Sequence, residues 1–202
     1  MFDSDTEQII KKAVETFKNG GVIVFPTDTI HGLGCTLNNK KAIERVYQIK
    51  GRYQQPSPVL VGSLNQAKDI AYLNKIARKL ISRFWPGGLT VVVPTRVNRV
   101  PELIKGSNET VGLRMPNFHL LLKIINLLEE PILGTSANVA GQPPAISQET
   151  LDERLANLVD YIVPGKSLGK KPSTIVDLTQ KPAQVIREGA IPGEKISALL
   201  QS

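Results

Sequence analysis

Cysteine is almost absent from the 202 residues: Cys35 stands alone, so no internal disulfide can form, and a reducing cytoplasm is the natural compartment. His31 and His119 have no cysteine or carboxylate partner at metal-ligand spacing, which leaves a built-in zinc site without support. Aromatic residues make up only 5%, and no basic run interleaves with them, which argues against a stacking platform for single-stranded nucleic acid. Long apolar runs are also missing. The longest, residues 22–25 and 89–93, have strand length and fall far short of the ~20 residues that span a bilayer. The opening MFDSDTEQIIKKAVE places acids before any lysine and lacks a continuous apolar core, so it does not read as a secretory signal. Neither a G-x-x-x-x-G-K-[ST] phosphate loop, nor a G-x-G-x-x-G after the first strand, nor a G-x-S-x-G elbow occurs.

What is present is an ordinary globular composition, 41% apolar and 21% charged, with a net charge of +7. A chain of this length buries roughly 70% of its unfolded surface, so a single domain over residues 1–202 is expected. The basic balance attracts polyanions in general without naming one.

Apolar periodicity predicts helices over 6–18, 42–50, 66–84 with a break near 72–74, 117–128, 148–158 and 194–200. Strands are expected at 22–25, 59–61, 89–93, 111–114, 132–135, 161–163, 173–178 and 184–187, while PTDTIHGLG after the first strand reads as a loop. Alternating strands and helices indicate an α/β domain, and the closely spaced strands near the end indicate a mixed parallel and antiparallel sheet.

Polar, glycine-rich segments recur after apolar strands at 26–34, 135–141 and 165–173, where a shared cleft beyond the strand ends would collect ligands. Thr27 and Thr29 offer hydroxyls, and Gly32 and Gly34 allow tight turning and close approach. Lys50 and Arg52, two apart in a turn, either converge on phosphates or are surface charges. Arg114 interrupts the apolar strand VGLRMP, and a guanidinium there needs an anionic ligand or a buried carboxylate. Ser136 and Asn138 either present a hydroxyl and an amide to a ligand or cap their own turn. Ser173 and Arg187 flank short strands and fit a structural role equally well.

The joint order of VIVFPTDTIHGLG, KGR, RFWPGGLT, VGLRMP, GTSANVAGQPP, PSTIVD and VIREGAI resembles the YrdC/TsaC family, from about Gly20 to Ile191. The resemblance implies a twisted mixed sheet with flanking helices around a basic cavity. It also implies synthesis of L-threonylcarbamoyladenylate from L-threonine, bicarbonate and ATP, with release of pyrophosphate, for modification of tRNA beside the anticodon. Carried over by motif, Thr29, Arg114, Ser136 and Ser173 would bind threonine, and Lys50, Arg52, Asn138 and Arg187 the nucleotide, with Pro56 and Thr110 as weaker matches. Lys50 and Arg52 would serve catalysis by offsetting charge on the phosphates, and Mg2+ would enter with ATP, through its phosphates and water. Asp28 and Asp177 would stand behind that site, although Asp177 also fits a strand-ending cap.

The sequence departs from the family at His31, where many members have tyrosine, and at Ser57, where a lysine often precedes Pro-Leu. It ends about ten residues after VIREGAI, which implies that the extra C-terminal domain of longer relatives is lacking. Transient contact with a threonylcarbamoyl transferase complex and binding of tRNA to the basic surface follow from the family alone. Two other readings compete. A basic module holding RNA by its phosphates explains the charge but not Arg114, and carbamoyl transfer in hydrogenase maturation needs a much longer, cysteine-rich chain.

Overall fold

Asp3 opens the first helix: its carboxylate accepts the Thr6 N–H at 2.8 Å, and α1 (Ser4–Lys18) then buries Ile10, Ala13 and Phe17 on one stripe. The computed structural model describes residues 2–51, 56–106 and 109–201. After α1 come β1 (Ile23–Phe25), β2 (Gly32–Thr36) and α2 (Lys40–Lys50), which Asn39 caps and Gly51 terminates at φ 63°. The middle of the chain forms β3 (Val59–Leu60), α3 (Leu64–Ile70), α4 (Lys75–Phe84), β4 (Leu89–Pro94), β5 (Thr110–Arg114) and α5 (His119–Leu128). Then follow β6 (Ile132–Ser136), α6 (Glu153–Ala156), β7 (Tyr161–Ile162), β8 (Thr174–Asp177), β9 (Gln184–Arg187) and α7 (Gly193–Gln201).

Among the described residues the strands form one nine-stranded sheet in the order β7-β1-β2-β6-β3-β5-β4-β8-β9. β1 with β7, β3 with β5 and β4 with β8 pair parallel, and the other neighbours pair antiparallel, so the sheet is mixed.

Strand alternation gives the sheet two unlike faces. Val24, Leu33, Leu133, Val59, Leu113, Val91 and Val176 point to one face and join Ile43 of α2, Ala67 of α3, Leu80 of α4 and Ile196 of α7 in one continuous core. Ile23, Phe25, Leu60 and Ile132 point the other way and pack under α1 and α5, against Phe17, Leu121 and Ile124. Helices α1 and α5 cover only the β1 side of this second face.

Two expectations need correction. Residues 32–36 form a fully buried strand rather than the tail of a loop, because Gly32 and Gly34 admit neighbours that a side chain would exclude. A Cβ on Gly34 would lie 1.9 Å from the Leu133 carbonyl oxygen, and one on Gly32 would lie 2.3 Å from the Phe25 ring. Residues 148–158 form no continuous helix. A 3-10 turn at Gln148–Thr150, closed by a Ser147–Thr150 capping box, precedes the single turn of α6, which Asp152 starts afresh. The expected break inside 66–84 falls between α3 and α4, where Asn74 caps the second helix.

Candidate functional site

Register explains how distant residues meet. Phe25 pairs with Gly32, Gly32 with Ser136, Leu60 with both Ile132 and Arg114, Thr90 with Ile175, and Ile175 with Arg187. Cross-strand partners share a face, so Ser136, Arg114 and Arg187 all stand on the second face, beyond the cover of α1 and α5. The cleft expected past the strand ends is therefore a hollow lying across the sheet, bordered by Gly32 and Gly134, against which the Phe25 and Leu60 side chains pack.

The hollow has a volume of about 170 Å³, and its polar lining includes Thr27, Thr29, Lys50, Arg114, Ser136, Ser173 and Arg187. A larger hollow of about 460 Å³ lies between α1 and α5, but Phe2, Ile10, Val14 and Leu127 line it with scattered lysines and glutamates, and no polar groups converge there.

Arg114, at the end of β5, is buried, and its guanidinium is held from two sides. Nη2 donates to Asp28 Oδ1 at 2.5 Å, and Nε donates to the Gly87 carbonyl at 3.1 Å. The carboxylate alternative read from the sequence holds, with Asp28 as the partner, and the guanidinium also lines the hollow. Asp28 is thus committed to Arg114. Burial pushes the Arg114 guanidinium below its ordinary pKa, and the Asp28 charge opposes that shift.

Arg187, on the edge strand, donates from Nε and Nη2 to the Ser173 carbonyl at 3.1 and 2.9 Å, and from Nη2 to Ser173 Oγ at 3.1 Å. Partial burial of its guanidinium, and then the charge of Arg114, hold its pKa below the ordinary arginine value. Ser173 Oγ also pairs with Thr90 Oγ1 at 2.8 Å.

The β1–β2 connection presents the two threonines. Thr27 Oγ1 donates to the Ile30 carbonyl at 2.7 Å, accepts the Thr29 N–H at 3.0 Å and meets Thr29 Oγ1 at 3.0 Å. Segment 165–173 buttresses it: Ser167 Oγ accepts the Thr27 N–H at 3.0 Å, and Gly169 donates its N–H to the Thr29 carbonyl at 2.9 Å. Ser167 Oγ is also 2.8 Å from His31 Nδ1. His31 is fully enclosed, with Nε2 lacking a partner among the described residues, and burial lowers its pKa.

Lys50, at the C-terminal end of α2, is buried with its ammonium among the oxygens of the 136–138 turn. Pro56 and Ser57 also border the hollow, and Tyr47 donates its O–H to Ser57 Oγ at 3.4 Å. Asn138 reaches the site through Lys50 and Ser136 rather than as part of the lining. Thr110 does not line the hollow: it begins β5, whose far end carries Arg114. Arg52 lies outside the described residues. Asp177 turns its carboxylate on Thr179, accepting the N–H at 2.9 Å and the hydroxyl at 2.6 Å, which is the strand-ending cap. His119 begins α5 and is exposed.

Sequence reasoning gave no role to Ser167. A serine in a glycine- and lysine-rich loop carries no signal for a bond to residue 27, 140 positions away.

Fold and site together define a mixed-sheet α/β protein with a polar hollow on one sheet face. Residues 15–189 match the model of the Sua5/YciO/YrdC family, whose description is telomere recombination, and the chain belongs to that family. It is 34% identical over 195 residues to the threonylcarbamoyl-AMP synthase of Pyrococcus abyssi, covering 95% of this chain and 57% of the relative. The crystal structure of P. abyssi Sua5 complexed with L-threonine has a TM-score of 0.89 at 34% identity, over 96% of this chain and 57% of that one. Escherichia coli YciO has a TM-score of 0.86 at 30% identity, over 94% and 93%. The chain therefore spans little more than half of the Pyrococcus protein and nearly all of YciO.

Proposed function

We propose that this chain is an L-threonylcarbamoyladenylate synthase, which joins L-threonine, bicarbonate and ATP and releases pyrophosphate. The observation that carries the reading is Arg114: a buried guanidinium fixed by Asp28 and the Gly87 carbonyl, with Thr29, Ser136 and Ser173 lining the same hollow. Such a group suits the carboxylate of an amino acid, and hydroxyls suit its ammonium and side-chain oxygen. The relative of known structure that binds L-threonine shares this fold.

In this reading Thr29, Arg114, Ser136 and Ser173 hold threonine and Arg52, Pro56 and Arg187 bind the nucleotide, while Lys50 and Asn138, which the family resemblance also gives to the nucleotide, bond each other at the 136–138 turn. Thr110 is the weakest assignment, because it stands away from the lining. The amine, once neutral, attacks bicarbonate to give an N-carboxylate and water. The new carboxylate then attacks the α-phosphorus, and pyrophosphate leaves. The protein contributes position and charge: Arg114 orients the amino acid, and Arg187 and Arg52 offset charge on the phosphates.

Among the described residues no carboxylate lines the hollow and no cluster of His, Cys, Asp or Glu is built to hold a metal. These residues suit magnesium only as it arrives on ATP, where it would supply charge neutralisation to the phosphates. The adenylate would serve tRNA modification in the cytoplasm, through transient contact with a transferase complex and, at the basic surface, with tRNA. No helix among the described residues is long and apolar enough to cross a membrane.

The test is pyrophosphate release by purified protein with ATP, magnesium and bicarbonate, with and without L-threonine, and identification of the adenylate by mass. Threonine-dependent release with that product is expected. ATP binding without release, under conditions where a known synthase turns over, would refute the proposal.

A further inference from the structure

Lys50 occupies a position that charge arguments from the sequence do not anticipate. Its Nζ donates to the Ser136 carbonyl at 2.5 Å and to the Asn138 carbonyl at 2.9 Å, with Asn138 Oδ1 at 3.2 Å and Ser136 Oγ at 3.5 Å. Four oxygens of one three-residue turn thus surround a single buried ammonium. The turn is tied further: Ser136 Oγ donates to Asn138 Oδ1 at 2.6 Å, Asn138 Nδ2 donates to the Gln142 carbonyl at 2.6 Å, and the Ala140 N–H donates to the Lys50 carbonyl at 3.2 Å.

The arrangement is electrostatically consistent. Two carbonyl oxygens and a carboxamide oxygen crowded together repel unless a donor stands between them, and the C-terminal end of α2 favours a cation there as well. Lys50 is therefore the cationic centre about which the end of β6 folds.

We infer that Lys50 is a positioning residue for the amino-acid side of the hollow, acting through Ser136 and Asn138. The ammonium shapes the wall on which the Ser136 hydroxyl stands, before any nucleotide arrives. The inference rests on the proposed threonine site. It separates from a role as phosphate ligand by what Lys50 controls in the absence of ATP.

The experiment titrates L-threonine, without nucleotide, into wild-type protein, K50M and K50R by calorimetry, and follows backbone hydrogen exchange across residues 132–142. Methionine keeps much of the length and loses the charge, whereas arginine keeps the charge but cannot place one nitrogen among the turn's oxygens. The expected result is a threonine Kd raised about tenfold or more in both variants, the scale of a lost charged hydrogen-bond set, with faster exchange at 136–140. Threonine affinity within about twofold of wild type in either folded variant, with weakening confined to ATP, would overturn the inference. Should K50M fail to fold, K50R alone decides by the same criterion. If the wild-type protein binds no threonine without nucleotide, the pyrophosphate assay decides whether the proposed function fails or threonine enters only after ATP. The exchange arm then decides separately, and unchanged protection at 136–140 would sink the positioning role.

Discussion

The two faces of the sheet differ in what they ask of the sequence. The face under α2, α3, α4 and α7 is filled with Val, Leu and Ile and is closed along its length. The other face is closed only where α1 and α5 lie, and elsewhere it carries arginines, serines and threonines over glycine. One face supplies stability through apolar burial, and the other gives part of that burial up to hold polar groups in a fixed array.

Changes to the closed face should alter stability and leave ligand affinity alone, and changes to the open face should lower ligand affinity, with a stability cost where, as at Arg114, an ion partner is left behind. The largest stability effect is expected for Leu113→Ala, next in sequence to Arg114 but pointing the other way. A cavity there costs about 2–5 kcal/mol in chemical unfolding, while the threonine KM of the folded fraction stays near wild type. A comparable loss of affinity would show that the faces are not independent. Arg114→Ala should lower kcat/KM for threonine by about 10²-fold, or roughly 3 kcal/mol of barrier. Pyrophosphate release reads this, and near-normal turnover would remove the carboxylate-binding role.

His31 gives a subtler contrast, because it is polar yet enclosed. Its pKa is lowered in the folded state by burial, so just below 6.5 the unfolded chain binds more protons than the folded one. Stability should rise with pH through that window, be complete above it, and fall as the solution is acidified. Denaturant midpoints for the wild type and His31→Gln between pH 5 and 8 test this, and an unchanged slope in the variant would assign it to other groups. The smallest expected effect concerns Cys35 on the closed face, whose thiol burial pushes up to about 12. Iodoacetamide at pH 8 should leave it unmodified in the native state and alkylate it after unfolding. Rapid native labelling would mean that this face opens.

Legibility in the sequence followed the same division. Helices α1, α2 and α4 announced themselves by apolar spacing, whereas their caps, Asp3, Asn39 and Asn74, are seen only in the structure. The strand GLGCT did not, because its glycines mark a loop until the Leu133 carbonyl and the Phe25 ring are seen against them. Nor did 148–158 show its breaks, since Leu151, Leu155 and Leu158 keep a helical rhythm across a capping box and the Asp152 cap. In the site, Arg114 stood out because a charge inside an apolar strand needs a partner, but the sequence left the choice of Asp28 open.

The sequence by itself determined the α/β class, the family and the short list of polar residues, because these reside in local periodicity and in the order of motifs. Only the tertiary structure decided which of them meet. Strand register carries side-chain parity across the sheet, so that Ser136, Arg114 and Arg187, on three separate strands, share one face. Parity is a relation between strands distant in the chain, and no local pattern encodes it. The place of Lys50 has the same origin: its ammonium bonds a turn 86 residues away, a contact fixed by how α2 lies on the sheet.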